Sequence, residues 1–302
     1  MTTNLHDAAL AFHALHTAGR PLVLANAWDA ASARIIAAAG APAIATTSAG
    51  VAWDLGAADG DRLERDRALQ AVATIAAAVE VPVTADIESG YAADPAGVAE
   101  TVRAVLAAGA VGVNIEDAAD AADAADAAYA ADAAYAADTA HAAYEGHAPL
   151  RPVAGQVERI AAAREAADAA GVPLFVNARV DTYLRAVGEP ADRLALTLER
   201  AAAYREAGAD GIFVPGAVDP ETVGALVAGV QGPLNVMAGP GAPSVTELAA
   251  LGVARVSVGS GIAQAAHAVV REAALELLSK GTYGPLAGGL DYGELNSLLG
   301  GA

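Results

Sequence analysis

Eight short apolar runs recur along the chain, and a longer alanine-rich stretch follows each of them. Runs of this length are typical of strands buried on both faces, while the longer stretches have helical character. Strands that alternate with helices predict a parallel sheet covered by helices. The predicted strands are Leu22–Ala25, Ala43–Thr46, Val83–Asp86, Val113–Glu116, Leu174–Ala178, Gly211–Val214, Leu234–Met237 and Arg255–Val258.

The number of these units favours a closed barrel over an open sheet. An open doubly wound sheet normally carries G-x-G-x-x-G after its first strand, and no such motif follows the first strand here. We therefore predict an α/β fold, a (β/α)8 TIM barrel, with residues 1–302 forming a single domain. In such barrels the reacting groups lie at the carboxyl ends of the strands.

One segment, from about residue 118 to residue 147, breaks the pattern with a repeat of alanine and aspartate. A spacing of three residues advances about 300° around a helix, so Asp120, Asp123 and Asp126 would not share one face. This argues against a row of metal ligands. We predict a low-complexity insertion after the fourth strand, beside the mouth of the barrel.

The composition excludes several classes of partner. A formal net charge of −19 argues against nucleic acids and anionic membranes, which are bound through clustered lysine and arginine. An acidic substrate is still possible if a divalent cation inverts the local field. The chain has no cysteine, which excludes disulfides and thiolate chemistry, and no run of roughly 18 apolar residues, so we expect a cytoplasmic protein.

Carboxylates at the ends of two neighbouring predicted strands form the clearest candidate site. Asp86 ends the third predicted strand, Glu88 lies two residues beyond it, and Glu116 ends the fourth. Neighbouring strands lie about 5 Å apart, so Asp86 and Glu116 could share one cation. Oxygen ligands suit Mg²⁺, with Mn²⁺ possible. The alternative is that these residues cap helices or pair with arginine.

The basic residues restrict the chemistry further. The only lysine, Lys280, lies in a late helix, which argues against a Schiff base on a barrel strand. A metal, with arginine as a helper, is then the available means of stabilising an enolate. Arg179 could bind a substrate carboxylate through two hydrogen bonds, or it could form an ion pair with Asp181 or Glu116.

Together these motifs resemble the isocitrate lyase/phosphoenolpyruvate mutase superfamily over nearly the whole chain apart from the insertion. The resemblance implies a barrel that handles 2-oxo-acid enolates on Mg²⁺. The motifs are Asn26-Ala-Trp-Asp29-Ala-Ala-Ser-Ala, Thr46-Thr-Ser-Ala-Gly, Leu55-Gly-Ala-Ala-Asp59, Ala85-Asp86-Ile-Glu88-Ser-Gly-Tyr91, Asn114-Ile-Glu116-Asp117, Asn177-Ala-Arg179-Val-Asp181 and Leu234-Asn235.

The resemblance also implies roles for individual residues. Asp86 would be the principal metal ligand, with Glu88 and Glu116 acting mostly through bound water. Asp59, which by itself reads as a helix cap, would face the metal site, and we take Asp59, Glu116 and Arg179 as candidate catalytic residues. The substrate carboxylate would be held by Thr47, Ser48, Arg179 and Asn235.

The chain differs from the superfamily in the segment after the fourth predicted strand, and this difference bears on the reaction. Lyases of this kind carry lysine, cysteine and glycine in a mobile loop after the fourth strand, where the alanine–aspartate insertion stands here. Cleavage of isocitrate or methylisocitrate by the usual route is therefore not expected. The loop typical of the mutases is not evident either.

These features predict a Mg²⁺-dependent lyase or decarboxylase acting on a small 2-oxo or 2-hydroxy carboxylic acid. One alternative is a phosphonopyruvate-type mutase or hydrolase that acts on a P–C bond. Another is a catalytically idle protein that binds metabolites or serves as a scaffold. The resemblance further implies a homotetramer whose subunits exchange a C-terminal helix, for which the segment after Gly281 is the candidate.

Overall fold

The computed structural model describes residues 4–119 and 150–300. Within these residues, nine parallel strands form one sheet. They are β1 Leu22–Leu24, β2 Asn26–Ala27, β3 Ile44–Thr46, β4 Val83–Asp86, β5 Gly112–Glu116, β6 Phe175–Arg179, β7 Gly211–Val214, β8 Leu234–Met237 and β9 Arg255–Ser257.

The strand order closes the sheet into a barrel. From β2 to β9 each strand pairs with the next, and β1 pairs with β9. Only Ala25 separates β1 from β2, so the two segments act as one barrel strand whose halves have different neighbours. The predicted (β/α)8 barrel is confirmed. The first strand differs from the prediction in this break and in continuing to Ala27, two residues beyond the predicted end.

From β2 onward, helices separate the successive strands, and further helices follow β9. Several begin at side-chain caps, such as Asp29, which accepts a hydrogen bond from the Ser32 amide. The described helices are α1 Leu5–Ala14, α2 Ala30–Ala38, α3 Ser48–Asp54, α4 Arg65–Ala78, α5 Pro95–Ala107, α6 Val153–Ala169, α7 Arg193–Glu206, α8 Pro220–Gly229, α9 Val245–Ala250, α10 Gly261–Lys280 and α11 Tyr292–Gly300.

Polar side chains cross the interior of the barrel. Arg255 on β9 donates from Nη2 to the Asn114 Oδ1 on β5, at 3.2 Å, although these strands lie on opposite sides of the barrel. The same oxygen accepts a hydrogen bond from Asn177, at 2.8 Å. Burial lowers the pKa of Arg255 to about 9, because water is excluded from the charged group. The layer below the strand ends is therefore charged.

Helix α1 and the turn that follows it pack aromatic residues against the start of β6. The His16 ring stacks on Phe175 with 3.9 Å between ring centroids, and Phe12 meets the same ring edge-on at 5.7 Å. The His16 Nδ1 lies 2.9 Å from the Phe12 carbonyl oxygen, which can only accept a hydrogen bond. Burial, with a smaller effect from Arg255, lowers the pKa of His16 to about 3.

We expect His16 to make the stability of the protein fall on acidification. The folded state keeps this imidazole neutral, whereas the unfolded chain binds a proton below pH 6.5. Its stabilising contribution is complete above pH 6.5 and decreases as the pH falls towards 3. Between pH 7 and pH 5, wild type should lose about 2 kcal/mol more unfolding free energy than His16→Phe.

Urea unfolding at a series of pH values measures this difference. His6→Gln is the matched control, since His6 lies exposed on α1, the helix that precedes His16. Parallel pH profiles for wild type and His16→Phe would contradict the assignment.

The described residues on either side of the insertion meet at the end of β5. Ala118 forms an antiparallel bridge with Leu150, and the Arg151 amide donates to the Asp117 carbonyl at 2.7 Å. The predicted insertion itself lies outside the described residues, except for Ala118 and Ala119. Its nature and the single-domain boundary therefore stay predictions.

The C-terminal segment leaves apolar side chains on the surface. In α10 only Ala263 is buried, while Val270 and Leu278 are exposed. Beyond α10, Arg34 of α2 donates to the Leu298 carbonyl of α11 at 2.8 Å. Among the described helices, none has the length and apolar character needed to span a bilayer. The exchange of a C-terminal helix between subunits stays a prediction.

Candidate metal and substrate site

The candidate site lies at the carboxyl ends of four neighbouring strands. Asp86, Glu116 and Arg179 are the last residues of β4, β5 and β6, and Ser48 begins α3 just after β3. Parallel strands bring these ends to the same edge of the barrel. The predicted placement of these residues is therefore observed, whereas their functional roles are not tested by it.

Asp86 is held by the start of α3. Its Oδ2 accepts hydrogen bonds from the Ser48 amide at 3.2 Å and from the Ser48 hydroxyl at 2.8 Å. Its own amide donates to the Thr46 hydroxyl at 2.8 Å, which fixes the backbone. The positive end of the helix dipole also favours a carboxylate at this position. Among the described residues, hydrogen bonds to this carboxylate fall on Oδ2, so Oδ1 can face a ligand.

Asp59 shares the environment of Asp86. Loss of hydration raises the pKa of Asp59, and the charge of Asp86 raises it further, while Arg179 lowers it. The nearby Ser48 side chain acts in the same direction as Arg179. Two carboxylates that repel each other form a favourable environment for a divalent cation.

Glu88 supports the turn that carries Asp59. Its backbone has a φ of 49°, and its side chain is 3% exposed. One carboxylate oxygen accepts from the Tyr91 hydroxyl at 3.1 Å, and the other accepts from the Asp61 amide. Burial, followed by the charge of Asp61, raises the pKa of Glu88 to about 8. Both carboxylate oxygens of Glu88 therefore already accept hydrogen bonds from the protein. This favours contact with a metal through bound water over direct ligation.

Glu116 forms an ion pair with arginine. Its Oε2 lies 2.6 Å from the Arg179 Nη1, and its Oε1 lies 4.0 Å from the Arg185 Nη2. Burial raises the pKa of Glu116 well above its usual value, Arg179 opposes this, and Asp181 and Asp86 add to it. The side chain thus belongs to a charged group that extends from β4 to β6.

Arg179 makes the ion pairs that the sequence left as an alternative. Its Nε and Nη2 donate to the two oxygens of Asp181, at 2.6 and 2.9 Å, and its Nη1 faces Glu116. A guanidinium has five N–H groups. The contacts with Asp181 and Glu116 use three of them, so two can still face a substrate carboxylate. Its role in substrate binding stays a prediction.

The structure does not gather the three predicted metal residues into a ready-made cluster. In the ranges 4–119 and 150–300, no group of three histidine, aspartate or glutamate side chains is arranged to hold a metal ion. Asp86 instead interacts electrostatically with Asp59, Glu88 and Glu116. A cation that keeps several waters and takes one or two carboxylates directly fits this arrangement.

The remaining predicted residues have structural partners. The Thr47 hydroxyl caps α3 by accepting from the Gly50 amide at 3.4 Å. Asn235 is buried, and its Oδ1 accepts from the Ser257 hydroxyl at 3.3 Å. The sequence analysis missed Arg185 and Arg255 entirely. The spacing of Arg185 four residues after Asp181 was a usable signal, since Arg185 lies beside that carboxylate.

A second buried network lies directly beneath Glu116. The Asp117 Oδ2 accepts from the Arg200 guanidinium at 3.0 Å and from the Tyr204 hydroxyl at 2.9 Å. Its Oδ1 accepts from the Asp181 amide at 2.9 Å. Asp117 therefore joins α7 to the two strands that carry Glu116 and Arg179.

Comparisons with known proteins agree on one family. Residues 12–278 match the model of the family described as phosphoenolpyruvate phosphomutase. A relative of uncharacterised function from Mycobacterium tuberculosis (strain ATCC 25618 / H37Rv) is 38% identical over 264 residues, covering 86% of this chain and 87% of the relative. The 2-methylisocitrate lyase of Escherichia coli (strain K12) is 29% identical over 212 residues, which are 70% of this chain and 62% of the lyase.

Solved structures show the same barrel. A Burkholderia cenocepacia J2315 crystal structure, provisionally described as a lyase/mutase, is 39% identical with a TM-score of 0.81, covering 97% of this chain and 95% of that one. A phosphonopyruvate hydrolase in complex with oxalate and Mg²⁺ is 24% identical with a TM-score of 0.76, covering 97% and 95%. This second likeness concerns the fold alone.

Proposed function

The chain belongs to the phosphoenolpyruvate phosphomutase family, within the isocitrate lyase/phosphoenolpyruvate mutase superfamily, and from this premise we propose a Mg²⁺-dependent carbon–carbon lyase or decarboxylase. Its substrate would be a small 2-oxo or 2-hydroxy carboxylic acid. The observation that carries the proposal is the placement of Asp86, which is fixed by Ser48 and interacts electrostatically with Asp59, Glu88 and Glu116.

The donor set at the mouth fits Mg²⁺, with Mn²⁺ as a second possibility, because it consists of carboxylate and hydroxyl oxygens. Asp86 would hold the ion directly, and Glu88 and Glu116 would hold its waters. The two protein partners of Glu88 and the ion pair of Glu116 support this division. When bound, the ion would supply Lewis-acid stabilisation of a developing enolate.

The protein side chains would orient the substrate, bind its carboxylate and exchange a proton with it. Arg179 would direct its two remaining N–H groups at the carboxylate, with Thr47, Ser48 and Asn235 on the other oxygens. Glu116 and Asp181 hold the Arg179 guanidinium in place. Asp59 lies on a turn, interacts electrostatically with Asp86 and has a raised pKa, which suits a carboxyl group that exchanges a proton with the substrate.

Two alternative functions predict different results from the lyase or decarboxylase when the protein is assayed with candidate substrates. A mutase or hydrolase acting on a P–C bond is supported by the family's name and by the fold likeness to phosphonopyruvate hydrolase. A catalytically idle binding protein or scaffold is favoured by the alanine–aspartate insertion in place of the lyase loop. Both alternatives would use the same carboxylate site.

We also propose a cytoplasmic homotetramer. The exposed apolar side chains Val270, Leu278, Tyr283 and Tyr292, on α10 and after it, support contact with further copies of the chain. The net charge of −19 supports the absence of nucleic-acid and membrane partners.

A substrate panel tests the proposed activity. Oxaloacetate, 2-methylisocitrate, phosphonopyruvate and 2,3-dimethylmalate are each incubated with Mg²⁺ and with EDTA, and the products are identified by mass spectrometry. We expect Mg²⁺-dependent cleavage of a C–C bond in at least one acid, with oxaloacetate the leading candidate. Cleavage of phosphonopyruvate alone would favour the P–C alternative, and Mg²⁺-dependent binding without any turnover would favour the idle protein.

A further inference from the structure

We propose that Arg159 is a positioning residue for the metal site, because it holds the loop that follows β4 and carries Glu88 and Tyr91. This inference rests on the proposed function and deepens it by adding a residue that acts through Glu88. Arg159 lies on α6, the first described helix after the insertion, and the sequence motifs did not single it out.

The loop after β4 needs support because its backbone is strained. Glu88 and Tyr91 have φ values of 49° and 50°, in the left-handed region that residues other than glycine rarely adopt. Gly90 has a φ of 105°, and a Cβ added to it would lie 2.9 Å from the Val98 Cγ2. Strained residues of this kind cost about 1–3 kcal/mol each and persist only where the surrounding structure fixes them. The loop therefore depends on contacts from other elements.

Arg159 supplies three such contacts. Its Nη2 donates to the Ser89 carbonyl at 2.8 Å and to the Ala92 carbonyl at 2.5 Å. Its Nη1 donates to the Ala93 carbonyl at 3.2 Å. Arg159 is only 2% exposed, so water does not compete for these donors. The planar guanidinium bridges carbonyls in a fixed geometry that the single ammonium group of lysine does not reproduce.

The same face of α6 also holds the neighbouring strand end. Gln156 lies three residues before Arg159, a spacing that places both side chains on one side of a helix. Its Nε2 donates to the Glu116 carbonyl at 3.1 Å, and the residue is fully buried. One face of α6 therefore holds the backbone beside both Glu88 and Glu116. The competing view is that Arg159 contributes to the stability of the barrel and to nothing else.

Hydrogen–deuterium exchange in EDTA tests the contact between Arg159 and the loop without any metal. Arg164→Gln is the matched control, because Arg164 lies on the same helix and its Nε donates to the Gly208 carbonyl at 3.1 Å. Gly208 precedes β7, so it lies at the opposite end of the strands from Glu88. We expect Arg159→Gln to accelerate amide exchange in residues 87–93 about tenfold, because buried carbonyls lose their donors, and Arg164→Gln to leave it unchanged. Unchanged exchange in Arg159→Gln would overturn the proposal.

Mg²⁺ titration by calorimetry tests whether Arg159 acts through Glu88. We expect Arg159→Gln to weaken Mg²⁺ binding about tenfold, and Arg164→Gln less than about twofold. In a Glu88→Gln background the added Arg159→Gln should cost less than about twofold, because the carboxylate that it positions is gone. An equal loss in both backgrounds would contradict action through Glu88.

Arg159→Lys provides a milder variant that keeps the charge and one donor group. It should recover only part of the Mg²⁺ affinity and of the slow exchange in residues 87–93, since it does not bridge three carbonyls. Full recovery would show that charge alone is sufficient and would overturn the positioning role. If wild type fails to bind Mg²⁺, the proposed function fails, and the exchange data in EDTA decide separately whether Arg159 holds the loop.

Discussion

Replacing Asp86 with alanine is expected to weaken Mg²⁺ binding by at least about a hundredfold and to leave the barrel folded. Removing a group that only supports a metal ligand already costs about ten- to a hundredfold in affinity, so loss of a direct carboxylate ligand should cost more. Removing Asp86 relieves its repulsion of Asp59 but also removes its hydrogen bonds with Ser48, so the thermal midpoint in EDTA should change little. Calorimetric titration with Mg²⁺ and circular dichroism melts measure both effects.

Two further variants test whether the loss of Mg²⁺ binding comes from the loss of the Asp86 carboxylate. Asp86→Asn keeps an oxygen that can accept from Ser48, so it should lose the metal with even less structural change. Asp66→Ala removes a carboxylate whose side chain is 88% exposed on α4, and it should bind Mg²⁺ like wild type. Unchanged Mg²⁺ affinity in Asp86→Ala would place the metal elsewhere.

The second large effect is expected at Asp117. Its side chain is fully buried, and Asp117→Ala would leave the Arg200 guanidinium without its carboxylate. Removing one partner of a buried ion pair typically costs about 3–5 kcal/mol, because the remaining charge is left desolvated. The Tyr204 hydroxyl and the Asp181 amide would lose an acceptor as well. Chemical denaturation should show a decrease in unfolding free energy of this size.

A surface ion pair provides the matched control. Asp168 lies 3.9 Å from Arg164, and its side chain is 64% exposed, so Asp168→Ala should cost less than about 0.5 kcal/mol. The double variant Asp117→Leu with Arg200→Met removes both buried charges and should be more stable than Asp117→Ala. A cost below about 1 kcal/mol for Asp117→Ala would show that Arg200 regains a partner.

The barrel could be predicted because its strands are continuous apolar runs. Each of the eight predicted strands corresponds to an observed one, with small shifts at the ends such as Ile44 in place of Ala43. The break at Ala25 could not be predicted, because it depends on which neighbour each half of the strand meets. Closure between β1 and β9 joins residues at the two ends of the chain.

The sequence predicted which residues belong to the candidate site better than it predicted which of them contact each other. The sequence placed Asp86, Glu116 and Arg179 at strand ends, where the structure has them. It could not choose between substrate binding and ion pairing for Arg179, since both satisfy a guanidinium. It did not predict that Glu88 would be engaged by Asp61 and Tyr91, because that contact depends on a turn with a positive φ.

The fold class, the order of the strands along the chain, the family and the excess of carboxylates at one end of the barrel could all be predicted from the sequence. These follow from local patterns of apolar residues and from motifs whose spacing is fixed by the chain. The pairing of charged side chains could be read from the three-dimensional structure and not from the sequence. Pairing of Asp117 with Arg200, or of Arg185 with Asp181 and Glu116, depends on distances between strands and on the exclusion of water, and neither quantity is contained in a local pattern.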